Sequence, residues 1–164
     1  MVYLIDASFF VFRAYHSMPA HMADRDGRPV NAVYGFARFL SDLLERAQPQ
    51  YVGVAFDESL TSSFRNRLYP AYKANRELPP AELKEQFARC RELCRHLGVA
   101  EFGDAEYEAD DIIGTLVHRM RAAGLRATIV TRDKDLSQLV REGDCFWDWM
   151  AEERYGYDEV APRF

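Results

Sequence analysis

Three apolar runs in this chain stop abruptly at acidic residues. Tyr3-Leu4-Ile5 ends in Asp6, the run Tyr51 to Phe56 ends in Asp57, and Ala127 to Thr131 leads directly to Asp133 and Asp135. Continuous rather than alternating apolar runs mark strands buried on both faces of a parallel sheet. The stretches between them carry a helical period. After the turn Asp26-Gly27-Arg28-Pro29, residues Val33, Phe36, Ala37, Leu40, Leu43 and Leu44 recur at helical spacing until Pro49. Pro79-Pro80 opens a second helix, with Leu83, Phe87, Cys90, Leu93, Cys94 and Leu97 on one face and Gly98 as its stop. That helix leads into a short strand, Val99 to Phe102. A third helix spans about Glu106 to Ala123, and a short helix around Leu136 to Val140 precedes a strand near Cys145 to Trp149. Strands alternating with amphipathic helices predict a three-layer α/β domain with a mostly parallel central sheet. With 164 residues and 48% hydrophobic content the chain fills one core, so a single domain over 1–164 is expected.

The start of the chain shows no basic leader, and nowhere do about 18 apolar residues stand together. An unexported, cytoplasmic protein with no membrane partner is expected. Cys90, Cys94 and Cys145 cannot pair completely, and the first two fall on the buried face of a helix, where a reduced thiol acts as a small hydrophobe. His16, His21, His96 and His118 lack zinc-ligand spacing.

In an open parallel sheet, ligands bind beyond the carboxyl ends of the strands. Here those ends are acidic: Asp6, Asp57, Asp133 and Asp135 follow strands, and Glu108, Asp110 and Asp111 stand near the start of the third helix. Glu108 and Asp111, three apart, share a helix face, with Asp110 turned about a quarter-circle away. Any one of these acids alone reads as a helix cap or a solvated charge, and Asp135 suits the N-cap of its helix. Seven on one edge would repel one another and stay partly protonated without a counter-charge. Oxygen-only donors suit Mg²⁺ or Mn²⁺, and the reaction such a pair of ions supports best is phosphodiester hydrolysis. Acidic pockets at strand ends also serve phosphoryl-accepting receiver domains and haloacid-dehalogenase phosphatases. The latter need an Asp-x-Asp after the first strand, which Asp6-Ala7-Ser8 does not supply. The net charge of −5 argues against a plain polyanion binder, yet the residues outside this acidic set are mildly basic in balance.

From Glu58 to Leu78 no apolar period is sustained, and a connection of that length is functional or mobile. Within it, Thr61 to Arg76 holds Arg65, Arg67, Lys73 and Arg76 with no acid, interleaved with Phe64, Tyr69 and Tyr72. Cations that track phosphates beside rings that stack on bases equip a single-strand groove. A solvated basic loop is the competing reading. Arg65 and Tyr72 are candidate DNA contacts.

Four segments together resemble the signatures of bacterial 5′ nucleases. They are Ala32-Val33-Tyr34-Gly35-Phe36, Tyr72-Lys73-Ala74-Asn75-Arg76, Tyr107-Glu108-Ala109-Asp110-Asp111-Ile112-Ile113 and Thr131-Arg132-Asp133-Lys134-Asp135-Leu136. The resemblance, to the 5′-3′ exonuclease and flap endonuclease family, covers the whole chain. It implies a PIN-like fold with a helical-arch insertion at about 58–80. It also implies metal ligation by Asp6, Asp57, Glu108, Asp110, Asp111, Asp133 and Asp135, and Lys73 and Arg76 as catalytic cations at the scissile phosphate. Phe12 falls where relatives carry a stacking tyrosine, and Arg13 beside it is placed to hold a phosphate. The implied activity is Mg²⁺- or Mn²⁺-dependent hydrolysis of DNA near 5′ ends or flaps by two metals. The family continues with a Gly-Asp-x-Ser-Asp-Asn segment and a helix-three-turn-helix module. This chain is expected to be a piece lacking both, with its second metal position incomplete. Two other readings stay open: a PIN-type ribonuclease, and a DNA-binding fragment without turnover.

Overall fold

Each apolar run becomes a strand, and one more strand than anticipated completes a six-stranded sheet. The computed structural model describes residues 1–58 and 62–163. Its elements are β1 (Val2–Asp6), α1 (Ala7–Ser17), α2 (Asn31–Ala47), β2 (Tyr51–Asp57), α3 (Phe64–Leu68), α4 (Ala81–His96), β3 (Ala100–Asp104) and α5 (Ala109–Ala122). They continue with β4 (Ala127–Val130), a 3-10 helix (Lys134–Leu139), β5 (Cys145–Asp148), β6 (Glu153–Tyr155) and α6 (Tyr157–Arg163). The sheet order is β3-β2-β1-β4-β5-β6, parallel throughout except for the β5–β6 hairpin. Of the arch predicted over 58–80, Ser59 to Thr61 lie outside the described residues, as does Phe164.

Side-chain alternation divides the strands between two cores. Ile5, Val54, Phe56, Val130 and Trp147 face α1, α2 and α4, where Phe36, Leu40, Leu43, Cys90 and Cys94 are fully buried. Val2, Leu4, Ala55, Ile129 and Phe146 face α5 and the 3-10 helix, against Ile113, Val117 and Leu136. That is the expected α/β sandwich of three layers. Truncating a side chain as completely enclosed as Phe36 would cost about 3–5 kcal/mol.

Three details depart from expectation. Helix α1 was not anticipated: Ala7, Phe10, Val11 and Ala14 do keep a helical period, but Phe9, Phe12 and Tyr15 are apolar too and blur it. A Cβ on Gly35 of α2 would meet the Ala14 Cβ at 2.6 Å, so the close α1–α2 crossing requires glycine there. Helix α5 starts at Ala109 rather than near Glu106. The Asp104 carboxylate accepts the backbone N–H groups of Glu106 and Tyr107 (2.7 and 3.1 Å) and turns the chain before the helix begins. Finally, the cap of the 3-10 helix is Asp133, whose Oδ1 accepts the Asp135 N–H at 2.9 Å, and not Asp135 itself. No helix among the described residues is long and apolar enough to cross a membrane.

Candidate active site

Parallel pairing brings the strand ends to one edge, because register fixes every carboxyl end on the same side. Asp6 lies opposite Ala55, two residues before Asp57, and Val130 pairs with Ile5, one residue before Asp6. Beyond that edge opens a cleft of about 1060 Å³. Five of the seven predicted acids line it: Asp6, Asp57, Glu108, Asp110 and Asp133. Lys73 and Arg76 stand on the cleft too, and Phe12 forms part of an apolar wall with Phe9 and Leu83. The Phe12 ring is held edge-on to Phe87, with centroids 5.1 Å apart.

The cleft acids are positioned by local hydrogen bonds. Asp57 Oδ1 accepts the Ala109 N–H at 2.8 Å, which locks the end of β2 to the first turn of α5. The Asp57 N–H in turn donates to Ser8 Oγ at 3.0 Å. Thr131 Oγ1 donates to Asp6 Oδ2 at 2.9 Å and accepts the Asp133 N–H at 2.9 Å. The first turn of α5 separates its acids by role. Glu108 and Asp111 form a reciprocal capping box, whereas Asp110 is free to face the cleft.

The other two predicted metal acids are not brought into this cleft. Both Asp111 oxygens are taken by a bidentate pair with Arg65, at 2.6 and 2.7 Å, and the residue lines a neighbouring groove that Asp110 borders as well. Asp135 is exposed and borders that same groove. Arg13 is exposed on the far side of α1, beside Arg38 and Trp149, away from the acids. Arg65 and Tyr72 do not line the cleft but meet one of its acids: Arg65 Nη1 stands 4.0 Å from Glu108 Oε2, the Tyr72 hydroxyl donates to that oxygen at 3.2 Å, and Lys73 Nζ donates to it at 2.8 Å. Lys73 adopts a left-handed backbone (φ 54°), an unfavourable conformation for a side chain of its kind that aims its ammonium at Glu108. Arg76 is exposed and, among the described residues, pairs with no carboxylate. Thr131, Ser8 and Arg132 stand out by no local sequence pattern, although the first is buried against Asp6 and the other two line the cleft. Only the β4–β1 pairing, invisible in a local pattern, exposes the link between Thr131 and Asp6.

The electrostatics are those of an under-neutralised site. Burial pushes the Asp6 carboxyl up to about 7, with Asp110 and Asp57 adding to the shift against the Thr131 hydrogen bond. Burial pushes Asp110 up to about 6, helped by Asp133, Asp57 and Glu108. Asp111 moves the other way, held below the usual carboxylate range by the Arg65 hydrogen bonds. Burial opposes the charge on Lys73, but its bonds to Glu108 and Tyr72 prevail and hold its pKa above the ordinary value. Among the described residues Lys73 and Arg65 are the cations within ion-pair reach of Glu108, and no ion pair reaches Asp6, Asp57, Asp110 or Asp133. An all-oxygen donor set with excess negative charge fits a hard divalent cation. Among the described residues no three His, Cys, Asp or Glu side chains stand grouped closely enough to hold a metal ion by themselves. Donors spaced around an open cleft suit a cation that retains several waters.

The whole chain, residues 1–164, matches the family described as 5′-3′ exonuclease, N-terminal resolvase-like domain. It is 39% identical over 99% of its length to a DNA polymerase I of Rhizobium leguminosarum, of which it covers 17%. A 5′-3′ exonuclease of Aquifex aeolicus is 34% identical over 99% of the chain, which covers 56% of that protein. The chain thus spans only part of each relative. Among solved structures, the bacteriophage T5 flap endonuclease in a pseudo-enzyme-product complex with DNA and metal ions superposes with a TM-score of 0.73 at 18% identity. It does so over 99% of this chain and 60% of that one, and the shared fold is PIN-like.

Proposed function

Because this chain belongs to the family of 5′-3′ exonuclease N-terminal resolvase-like domains, we propose that it hydrolyses DNA phosphodiester bonds near 5′ ends or flaps with divalent cations. The observation that carries this reading is the meeting of five carboxylates from three strand ends and one helix start in a single cleft, with Lys73, Arg76 and an aromatic wall around it. Asp6, Asp57, Glu108, Asp110 and Asp133 would hold Mg²⁺ or Mn²⁺, with Asp111 and Asp135 flanking them. Bound ions of this kind lower the pKa of an attacking water and stabilise the leaving oxyanion.

The rest is the work of the chain's own side chains. Arg76, exposed and paired with no carboxylate among the described residues, would take a phosphate oxygen, and Lys73 would join it once it leaves Glu108. Preorganised cations of this type stabilise negative charge that grows on a phosphate during displacement. Phe12 offers a ring face to an unpaired base beside the acids. The segment 62–80 acts as the arch over the strand, with Arg65, Arg67 and Tyr72 supplying phosphate and base contacts.

The test is release of nucleotides from 5′-flapped DNA in Mn²⁺, with Asp110→Ala as control and an RNA of the same sequence in parallel. Cleavage of DNA that Asp110→Ala abolishes is expected. Faster cleavage of RNA would favour a ribonuclease, and no turnover in the parent chain would sink the hydrolase reading.

A further inference from the structure

One hydroxyl joins two of the acid-bearing strand ends. Thr131 follows β4 directly, is 0% exposed, and donates its own N–H to the Trp147 carbonyl at 3.2 Å. Its Oγ1 has one proton, which goes to Asp6 Oδ2, so a lone pair remains for the Asp133 N–H; both contacts measure 2.9 Å. Donor and acceptor duties thus run in one direction, from the Asp133 turn through the hydroxyl to Asp6. Across the cleft Asp110 and Asp57 repel Asp6, while a backbone bond from Phe9 at the start of α1 and the Thr131 hydroxyl both favour its charged form. The Thr131 bond is the one that also reaches the Asp133 turn. Threonine also suits the task better than serine, because its β-branch restricts rotation about χ1 in a packed site. Asp133 passes the ordering on: its own carboxylate accepts the Asp135 N–H and caps the 3-10 helix.

We propose that Thr131 is a positioning residue, whose hydroxyl fixes the Asp6 carboxylate relative to the Asp133 turn so that both acids meet a divalent cation in one orientation. The proposal rests on the reading of the cleft as a divalent-cation nuclease site. Partners that orient metal-binding side chains from behind are worth about tenfold to hundredfold in metal affinity.

The experiment compares the parent chain with T131V, which keeps the shape and loses both bonds, and T131S, which keeps both bonds. Mn²⁺ affinity is measured by calorimetric titration, and melting is followed in chelator. T131V should melt cooperatively and bind Mn²⁺ at least about tenfold more weakly, with T131S within about threefold of the parent. Parent-like Mn²⁺ affinity in T131V overturns the proposal. If T131V loses its cooperative melt, T131A carries the same comparison. If both unfold while T131S does not, the hydroxyl is a structural group and the positioning role is wrong. A parent chain that binds Mn²⁺ no better than Asp110→Ala would instead defeat the metal-site reading itself, and the proposal with it.

Discussion

Asp6 and Asp144 are both buried carboxylates, and their neighbours give them opposite effects on stability. Asp6 faces other acids and its carboxyl is pushed up to about 7 from 3.8, first by burial. An acid with a raised folded pKa destabilises the fold progressively as pH climbs from the unfolded value to the folded one. Metal-free Asp6→Asn should therefore melt above the parent at about pH 8 and alongside it at about pH 4, by roughly 2–4 °C for each kcal/mol relieved. Scanning calorimetry in chelator would show this, and parallel curves at every pH would refute it. Asp144 has three donors instead: the Ala127 N–H at 2.9 Å, the Arg141 N–H at 3.1 Å and Arg121 Nη2 at 2.5 Å. Burial pushes its carboxyl up, but these bonds outweigh burial and hold it below the ordinary range. A depressed pKa has the reverse sign: its stabilisation is complete above the ordinary carboxylate value and is lost as pH falls through the folded pKa. Asp144→Asn should cost on the order of 2 kcal/mol in urea unfolding at neutral pH. That difference should shrink below about pH 4.

The 62–80 segment borders the cleft from Lys73 to Pro80, and most of what holds it down is polar, beside the Phe64–Tyr107 ring contact. Its backbone ties to the β3–α5 turn through Phe64 N–H and the Glu106 carbonyl at 2.8 Å. Its cations pair with acids of the same turn and helix start: Arg67 with Glu106, Arg65 with Asp111 and Lys73 with Glu108. The exposed Arg67–Glu106 pair is worth under about 1 kcal/mol, whereas the bidentate, half-buried Arg65–Asp111 pair has the geometry that makes such contacts count. Arg65→Gln should speed chymotryptic cleavage at Leu68 and Tyr69, both exposed, by several-fold while the melting temperature shifts little. Unchanged digestion would mean that other contacts hold the segment. These pairings also explain what the sequence left hidden. The strands and the helices α2 and α4 announce themselves because apolar spacing is local. The order of 62–80 comes from acids about 40 residues further along the chain, as the Arg67–Glu106 pair separates 39 positions. For the same reason Asp6, Asp57 and Asp133 were legible at their strand ends and Glu108 and Asp110 at their helix start, but the diversion of Asp111 to Arg65 and the turn-away of Arg13 were not.

At the level of the whole molecule, the sheet holds its acids together at an electrostatic cost, so anything that neutralises them stabilises the fold. Mn²⁺ at about a hundred times its dissociation constant should add about 2.7 kcal/mol by mass action. That corresponds to a rise in melting temperature of roughly 5–10 °C for a domain of this size. Asp110→Asn should remove most of the rise; a rise of equal size in that variant would place the ion elsewhere. The sheet order carries a consequence for kinetics. Strand β1 lies between β2, which starts 49 residues after it, and β4, which starts 125 residues after it. Pairings of such long sequence separation close slowly and complete late. Until β1 is seated the acids have not met; if that seating follows the transition state, their repulsion falls between the transition state and the native state. Contacts absent from the transition state govern the rate of unfolding rather than of folding. A divalent ion in this cleft should then leave the speed of folding almost untouched and lengthen the lifetime of the folded chain.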